Sequence, residues 1–118
     1  MPFIQLQTNQ NISAAQETAI KTALGKAIAH IPHKSEQSLM IALQANTCLY
    51  LKGEKNSPMA LLTVSVFANR SHQGYAEFAQ SATQAISEQL HIAPQNIYLK
   101  YEDLPAWSVA GHTFSENA

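Results

Sequence analysis

The strongest constraint on the fold is one local order used twice: a short apolar strand, an amphipathic helix closed by proline, and a second strand. Phe3-Ile4-Gln5-Leu6-Gln7 alternates apolar and polar residues, which predicts a half-buried strand stopped by Thr8-Asn9-Gln10-Asn11. Ser13 and Gln16 have the spacing of a capping box, and the helix they open buries Ile20, Leu24, Ala27, Ile28 and Ile31. Pro32 ends it for want of an N–H, and after Lys34-Ser35-Glu36 the run Leu39 to Leu43 predicts a second strand. The order then repeats. Met59 to Phe67 is rich in β-branched and apolar residues, Asn69-Arg70-Ser71 breaks it, and a helix from about Gln73 to Leu90 presents Tyr75, Phe78, Ala82, Ile86 and Leu90 on one stripe. Ala93-Pro94 closes that helix before the strand Ile97 to Tyr101.

Each crossover is long enough to make its flanking strands parallel, and right-handed connections put both helices on one side of a shared sheet. The expected fold is therefore α/β: two tandem β-α-β units, a four-stranded mixed sheet, and two helices on one face, in a single domain spanning 1–118. Two brief segments, Thr47 to Leu51 and Trp107 to Val109, are too short to be central strands and are expected to extend the edges of neighbouring subunits. The uncovered sheet face needs either an amphipathic surface or a second copy. Only 13% of residues are charged, which favours the copy: a ring of subunits would bury open faces and edges together.

Several functions are disfavoured. A net charge of −1 without a basic run supplies no field for a polyanion, so no nucleic-acid partner is expected. Neither a basic-then-apolar leader nor eighteen consecutive apolar residues is present, which predicts no membrane partner and a cytoplasmic location, with any export by a route that uses no signal peptide. Cys48 is single, and Gly25, Gly53, Gly74 and Gly111 form no phosphate loop. His30 and His33 are the only spacing suggestive of a metal, and no third ligand stands at a convincing distance in sequence, so no metal or cofactor is expected. Glu102 and Asp103 are adjacent in a strand, point to opposite faces, and do not make a paired acid–base site.

Pro2 is the residue with the most chemistry. It is either an edge device at a strand start or, once Met1 is removed, a secondary amine at the amino terminus. Desolvation and a neighbouring ammonium would both lower its pKa, giving a base able to move a proton next to a carbonyl. Lys34, in the connection leaving the first helix, is the cationic companion; its other reading is a favourable place at the helix carboxyl end. Tyr98 and Lys100 share the face away from the helices, with Ile97, Leu99 and Tyr101 on the other. Phe67 can wall a cavity or sit in the core.

Met1-Pro2-Phe3-Ile4, the Lys34 connection, Pro58 to Phe67, the segment Ile92 to Asp103 and Thr113-Phe114 together resemble the macrophage migration inhibitory factor family of the tautomerase superfamily, nearly end to end. The resemblance implies a homotrimer with an inner barrel of sheets, helices outside, and a pocket at each interface. It implies keto–enol tautomerase activity, without cofactor, on a small aromatic keto acid such as phenylpyruvate, or on dopachrome-like compounds. Pro2 would be the catalytic base and Lys34 the substrate-binding cation; Ser65 and Phe67 would wall the pocket, Tyr98 would enter from the adjacent subunit, and Trp107 and Lys100 would lie nearby. This chain departs from the family pattern at Met59 and Leu62, where a C-x-x-C pair is familiar, at Lys100, where an asparagine is, and at Phe67, where a smaller aliphatic is. The competing implication is a cytokine-like protein that binds a protein receptor, with the chemistry incidental.

Overall fold

The computed structural model describes residues 1–116. Strand β1 (Pro2–Thr8) runs into α1 (Ala14–Ala27), which leads to β2 (Met40–Gln44); β3 (Ala60–Phe67) runs into α2 (Tyr75–Leu90), which leads to β4 (Ile97–Leu104). β1 and β2 pair in parallel, as do β3 and β4, while β1 and β3 pair antiparallel, giving the order β2-β1-β3-β4. These are the two tandem units expected from the repeated local order.

Period-two burial on the strands and a stripe on the helices build one core. Ile4, Leu6, Leu62, Val64 and Val66 point to the helix side and are fully buried against Ile20, Leu24 and Ile28 of the first unit and Phe78, Ala82 and Ile86 of the second. Fully burying a side chain of the size of Phe78 contributes about 2–3 kcal/mol. Ser13 caps α1 as its spacing predicts: its hydroxyl accepts from the Gln16 N–H at 3.2 Å, and its own N–H donates to Gln16 Oε1 at 2.8 Å. Gln16 also donates through Nε2 to the Gln89 carbonyl at 2.8 Å, tying the start of α1 to the end of α2.

The helix ends differ from expectation in instructive ways. A 3-10 turn over Ile28–His30 carries the first helix on to Pro32. The second begins at Tyr75 because Gly74, at φ 85°, is its N-terminal flanking residue, and it stops at Leu90 because His91 takes a left-handed φ of 56°, ahead of Ala93-Pro94. Within the single chain Thr47 to Leu51 forms no strand: the Thr47 N–H donates to the Thr8 carbonyl at 2.9 Å and Leu51 bridges Glu54 across the turn it enters. Trp107 to Val109 is a strand, as expected. It lies in β5 (Ala106–Val109), which pairs antiparallel with β6 (His112–Ser115) as a separate hairpin.

The sheet face away from the helices remains open. It carries Phe3 and Gln5 of β1, Thr63, Ser65 and Phe67 of β3, and Tyr98, Lys100 and Glu102 of β4, with Tyr98 53% exposed. No described helix is long and apolar enough to cross a membrane.

Candidate active site

Sheet register sorts the candidate residues into two groups. At one end of the sheet Pro2 lies opposite Val66, which lies opposite Asp103, and Phe67 pairs with Leu104. The Phe67 N–H donates to the Met1 carbonyl at 3.4 Å, so the chain terminus is laid along the end of β3. At the other end, Tyr98 pairs with Leu61 and through it with Gln7, five residues from Pro2 along β1. At 3.3–3.4 Å per residue that is about 17 Å. Pro2, Ser65 and Phe67 thus belong to one end, with the charge of Lys34 felt at the terminus, while Tyr98 belongs to the other end and Lys100, opposite Thr63 and through it Gln5, stands at mid-sheet.

Pro2 is buried and Lys34 half-buried. The amino group of Met1, one residue out from the Pro2 nitrogen, has its pKa lowered from the ordinary amine value, first by burial and then by the positive charge of Lys34. Burial likewise lowers the pKa of Lys34 itself. No described carboxylate forms an ion pair with Lys34.

The connection carrying Lys34 is held at fixed points. The Lys34 N–H donates to the Ile31 carbonyl at 3.2 Å, with Ile31 fully buried, and His33 adopts a left-handed φ of 64°. Gly74 packs on its start: a Cβ there would overlap the His30 carbonyl oxygen and stand 2.7 Å from its carbon. Glu36 lies across Gly25 and pairs with Lys21 at 3.1 Å.

Ser65 stands opposite Phe3, and its hydroxyl donates to Glu102 Oε1 at 2.6 Å, which sequence reasoning did not foresee. Trp107 is half-buried and paired with Phe114 in the hairpin, which leaves the sheet just past the Leu104–Phe67 rung. A second cluster was also missed. The Tyr75 hydroxyl donates to Asp103 Oδ1 at 2.5 Å, His72 Nε2 meets Asp103 Oδ2 at 2.8 Å, and the rings of Tyr75 and Tyr101 stack at 4.2 Å. Burial and the Asp103 carboxylate raise the Tyr75 pKa well above the usual phenol value. Asn69-Arg70-Ser71 reads in sequence only as a break; the one signal for the cluster was Asp103 landing on the helix-facing side of β4, where a carboxylate requires a donor.

His30 Nε2 lies 3.2 Å from the Ser81 hydroxyl, and the described residues contain no group of three His, Cys, Asp or Glu able to hold a metal. Near Tyr98 a hollow of about 150 Å³ is lined by Tyr50, Leu51, Met59, Leu61 and Asn96 among others, and includes neither Pro2 nor Lys34.

No curated protein matches the sequence. Among solved structures, Leishmania major MIF2 superposes with a TM-score of 0.86 at 20% identity, covering 97% of each chain. The macrophage migration inhibitory factor homologue from Prochlorococcus marinus gives 0.83 at 23% identity, covering 96% of this chain and 99% of that one. A structure described as a fused 4-OT wild-type symmetric trimer gives 0.82 at 24% identity, covering 98% and 97%. These likenesses establish the fold. The family model described as macrophage migration inhibitory factor (MIF) matches residues 1–115, and the chain belongs to that family.

Proposed function

We propose that the protein is a keto–enol tautomerase of phenylpyruvate-like aromatic 2-oxo acids, working through the Pro2 nitrogen after Met1 is removed. The observation that carries this reading is the electrostatics at the chain terminus: an amine there is held toward its neutral form by burial and by the unpaired Lys34 cation. A secondary amine in that place, favoured in its neutral form by the same two causes, can act as a base.

The step balances within one substrate. The Pro2 nitrogen takes a proton from the carbon beside the 2-oxo group, the C–H electron pair becomes the C=C bond, and the carbonyl oxygen takes up negative charge. Lys34 binds the carboxylate and stabilises that oxygen. Loss of Met1 also removes the acceptor now held by the Phe67 N–H, leaving a donor beside the reacting atoms. The protonated amine then delivers its proton to the enolate oxygen. No cofactor enters, because one amine both accepts and returns the proton.

Tyr98 lies too far along its own sheet to join Pro2, so in this reading a neighbouring copy supplies it. The open sheet face, the exposed Tyr98 and the symmetric-trimer relative support a homotrimer with the pocket between subunits. The test follows the enol absorbance of phenylpyruvate with fully processed protein and with Pro2→Gly. The expected loss in the variant is about 10²–10⁴-fold in kcat/KM. An active variant would overturn the role of Pro2, and an inactive processed parent would favour the receptor-binding role instead.

A further inference from the structure

We propose that Tyr101 is a positioning residue for Lys34: its hydroxyl holds the start of α2 against the turn from which Lys34 leaves. The inference rests on the tautomerase reading above for the task of Lys34 and deepens it by a residue that touches no substrate.

Tyr101 lies on the helix-facing side of β4, two residues before Asp103. A phenylalanine would fill that place with no polar atom to satisfy, so the hydroxyl needs its own account. It donates to the Tyr75 carbonyl at 3.1 Å, and the two rings stack 4.2 Å apart and within 5° of parallel. Tyr75, the first residue of α2, is thereby held at its backbone by Tyr101 and at its hydroxyl by Asp103. Burial raises the pKa of both phenols, so both remain donors through neutral pH.

From Tyr75 the contact passes to Lys34 in two steps. Gly74, its neighbour in the chain, packs so closely that a Cβ there would overlap the His30 carbonyl oxygen and stand 3.0 Å from Ile31 Cα. The Ile31 carbonyl in turn accepts the Lys34 N–H at 3.2 Å. His30 meets α2 a second time, its Nε2 lying 3.2 Å from the Ser81 hydroxyl. The turn that carries Lys34 therefore follows α2, and the first residue of α2 is fixed to the sheet by Tyr101 and Asp103. The charged groups along this path are paired among themselves: His72 with Asp103 at 2.8 Å, Arg70 with Glu116 at 3.6 Å, and Lys21 with Glu36 at 3.1 Å. After burial, the charge of Lys34 is the cause that lowers the terminal amine pKa, so a retreat of Lys34 lets that pKa rise.

The experiment titrates the Pro2 nitrogen of processed, isotope-labelled protein by NMR in the parent, Tyr101→Phe, Lys34→Met and the double variant. Tyr101→Phe keeps the ring and its stack and removes only the hydroxyl. Withdrawal of the cation by about 1–2 Å should raise the amine pKa by about 0.3–0.6 unit, and the acid limb of phenylpyruvate kcat/KM should rise with it. In the Lys34→Met background the same substitution should move neither, because the cation it positions is gone. Phe78→Ala, which loosens the core without touching this path, should leave the amine where it is. An unmoved amine in Tyr101→Phe, an equal shift with and without Lys34, or the same shift in Phe78→Ala overturns the proposal. A Lys34-dependent shift in protein that turns over no phenylpyruvate supports this positioning and sinks the tautomerase reading. Pro2-dependent turnover with an amine unmoved by Tyr101→Phe does the reverse.

Discussion

Replacing Gly74 by alanine should damage stability and catalysis by separable routes. The added Cβ would overlap the His30 carbonyl oxygen and stand 2.7 Å from its carbon and 3.0 Å from Ile31 Cα, against about 3.4 Å for ordinary contact. Those atoms are backbone, so they must move by about 0.7 Å or more. Alanine at φ 85° costs about 1–2 kcal/mol, and forcing atoms into a packed site about 1–3 more. An unfolding entropy of about 2.1 cal/mol/K per residue over 118 residues makes each kcal/mol worth about 4 °C in Tm, so the expected loss is roughly 8–20 °C. Gly53 has nearly the same φ, 81°, with nothing within 4 Å of its Cβ position, so Gly53→Ala carries the conformational part alone, about 4–8 °C. The displaced His30–Ile31 backbone leads directly to Lys34, whose charge lowers the terminal amine pKa. Gly74→Ala, assayed below its lowered Tm, should therefore move the acid limb of kcat/KM to higher pH, while Gly53→Ala leaves it in place. Differential scanning calorimetry and a pH–rate profile read the two effects. Equal Tm losses for the two variants would refute the overlap argument; a large Tm loss with an unmoved acid limb would refute its transmission to Lys34.

Other outcomes follow from the same geometry. Removing the cation in Lys34→Met withdraws one of the causes that lower the terminal pKa; since the amine acts when neutral, the acid limb of kcat/KM should move to higher pH, and an unmoved or lower limb would remove Lys34 from the site. The methyl ester of phenylpyruvate should be handled at lower kcat/KM than the acid, and equal rates in steady-state assays would end the carboxylate role of Lys34. Phe78→Ala, at a fully buried position where both helices meet the sheet, should cost about 3–5 kcal/mol, or roughly 12–20 °C in Tm, without altering the pH profile of the folded fraction. Tyr75→Phe removes the hydroxyl that donates to Asp103 and should cost about 1 kcal/mol, measurable as a Tm loss of about 4 °C.

The parts of the fold legible in sequence were those written as periodicity. Ile20, Leu24 and Ile28 recur at helical spacing, Ile4 and Leu6 at strand spacing, and both landed in the core, because burial of an apolar face is a local pattern with a global consequence. Segments without such a pattern were less legible. Thr47 to Leu51 makes only the Thr47–Thr8 bond and the Leu51–Glu54 bridge within its own chain, and the hairpin after Leu104 depends on a turn at Ala110-Gly111, whose φ values of 53° and 79° follow no apolar alternation. At the site, the placement of Tyr98 and Lys100 on the open face followed from parity alone, while their distance from Pro2 required register between strands far apart in sequence. The Ser65–Glu102, Tyr75–Asp103 and His72–Asp103 contacts each join residues 28 to 37 positions apart. Polar contacts of that kind leave no periodic trace, and only the three-dimensional register reveals them.

The account depends most on an unblocked Pro2 nitrogen. Preparations spanning a range of Met1 retention, each quantified by intact mass, should show phenylpyruvate tautomerase activity proportional to the fraction beginning at Pro2 and extrapolating to zero when every chain keeps Met1. Undiminished activity in protein that retains Met1 throughout would contradict the mechanism.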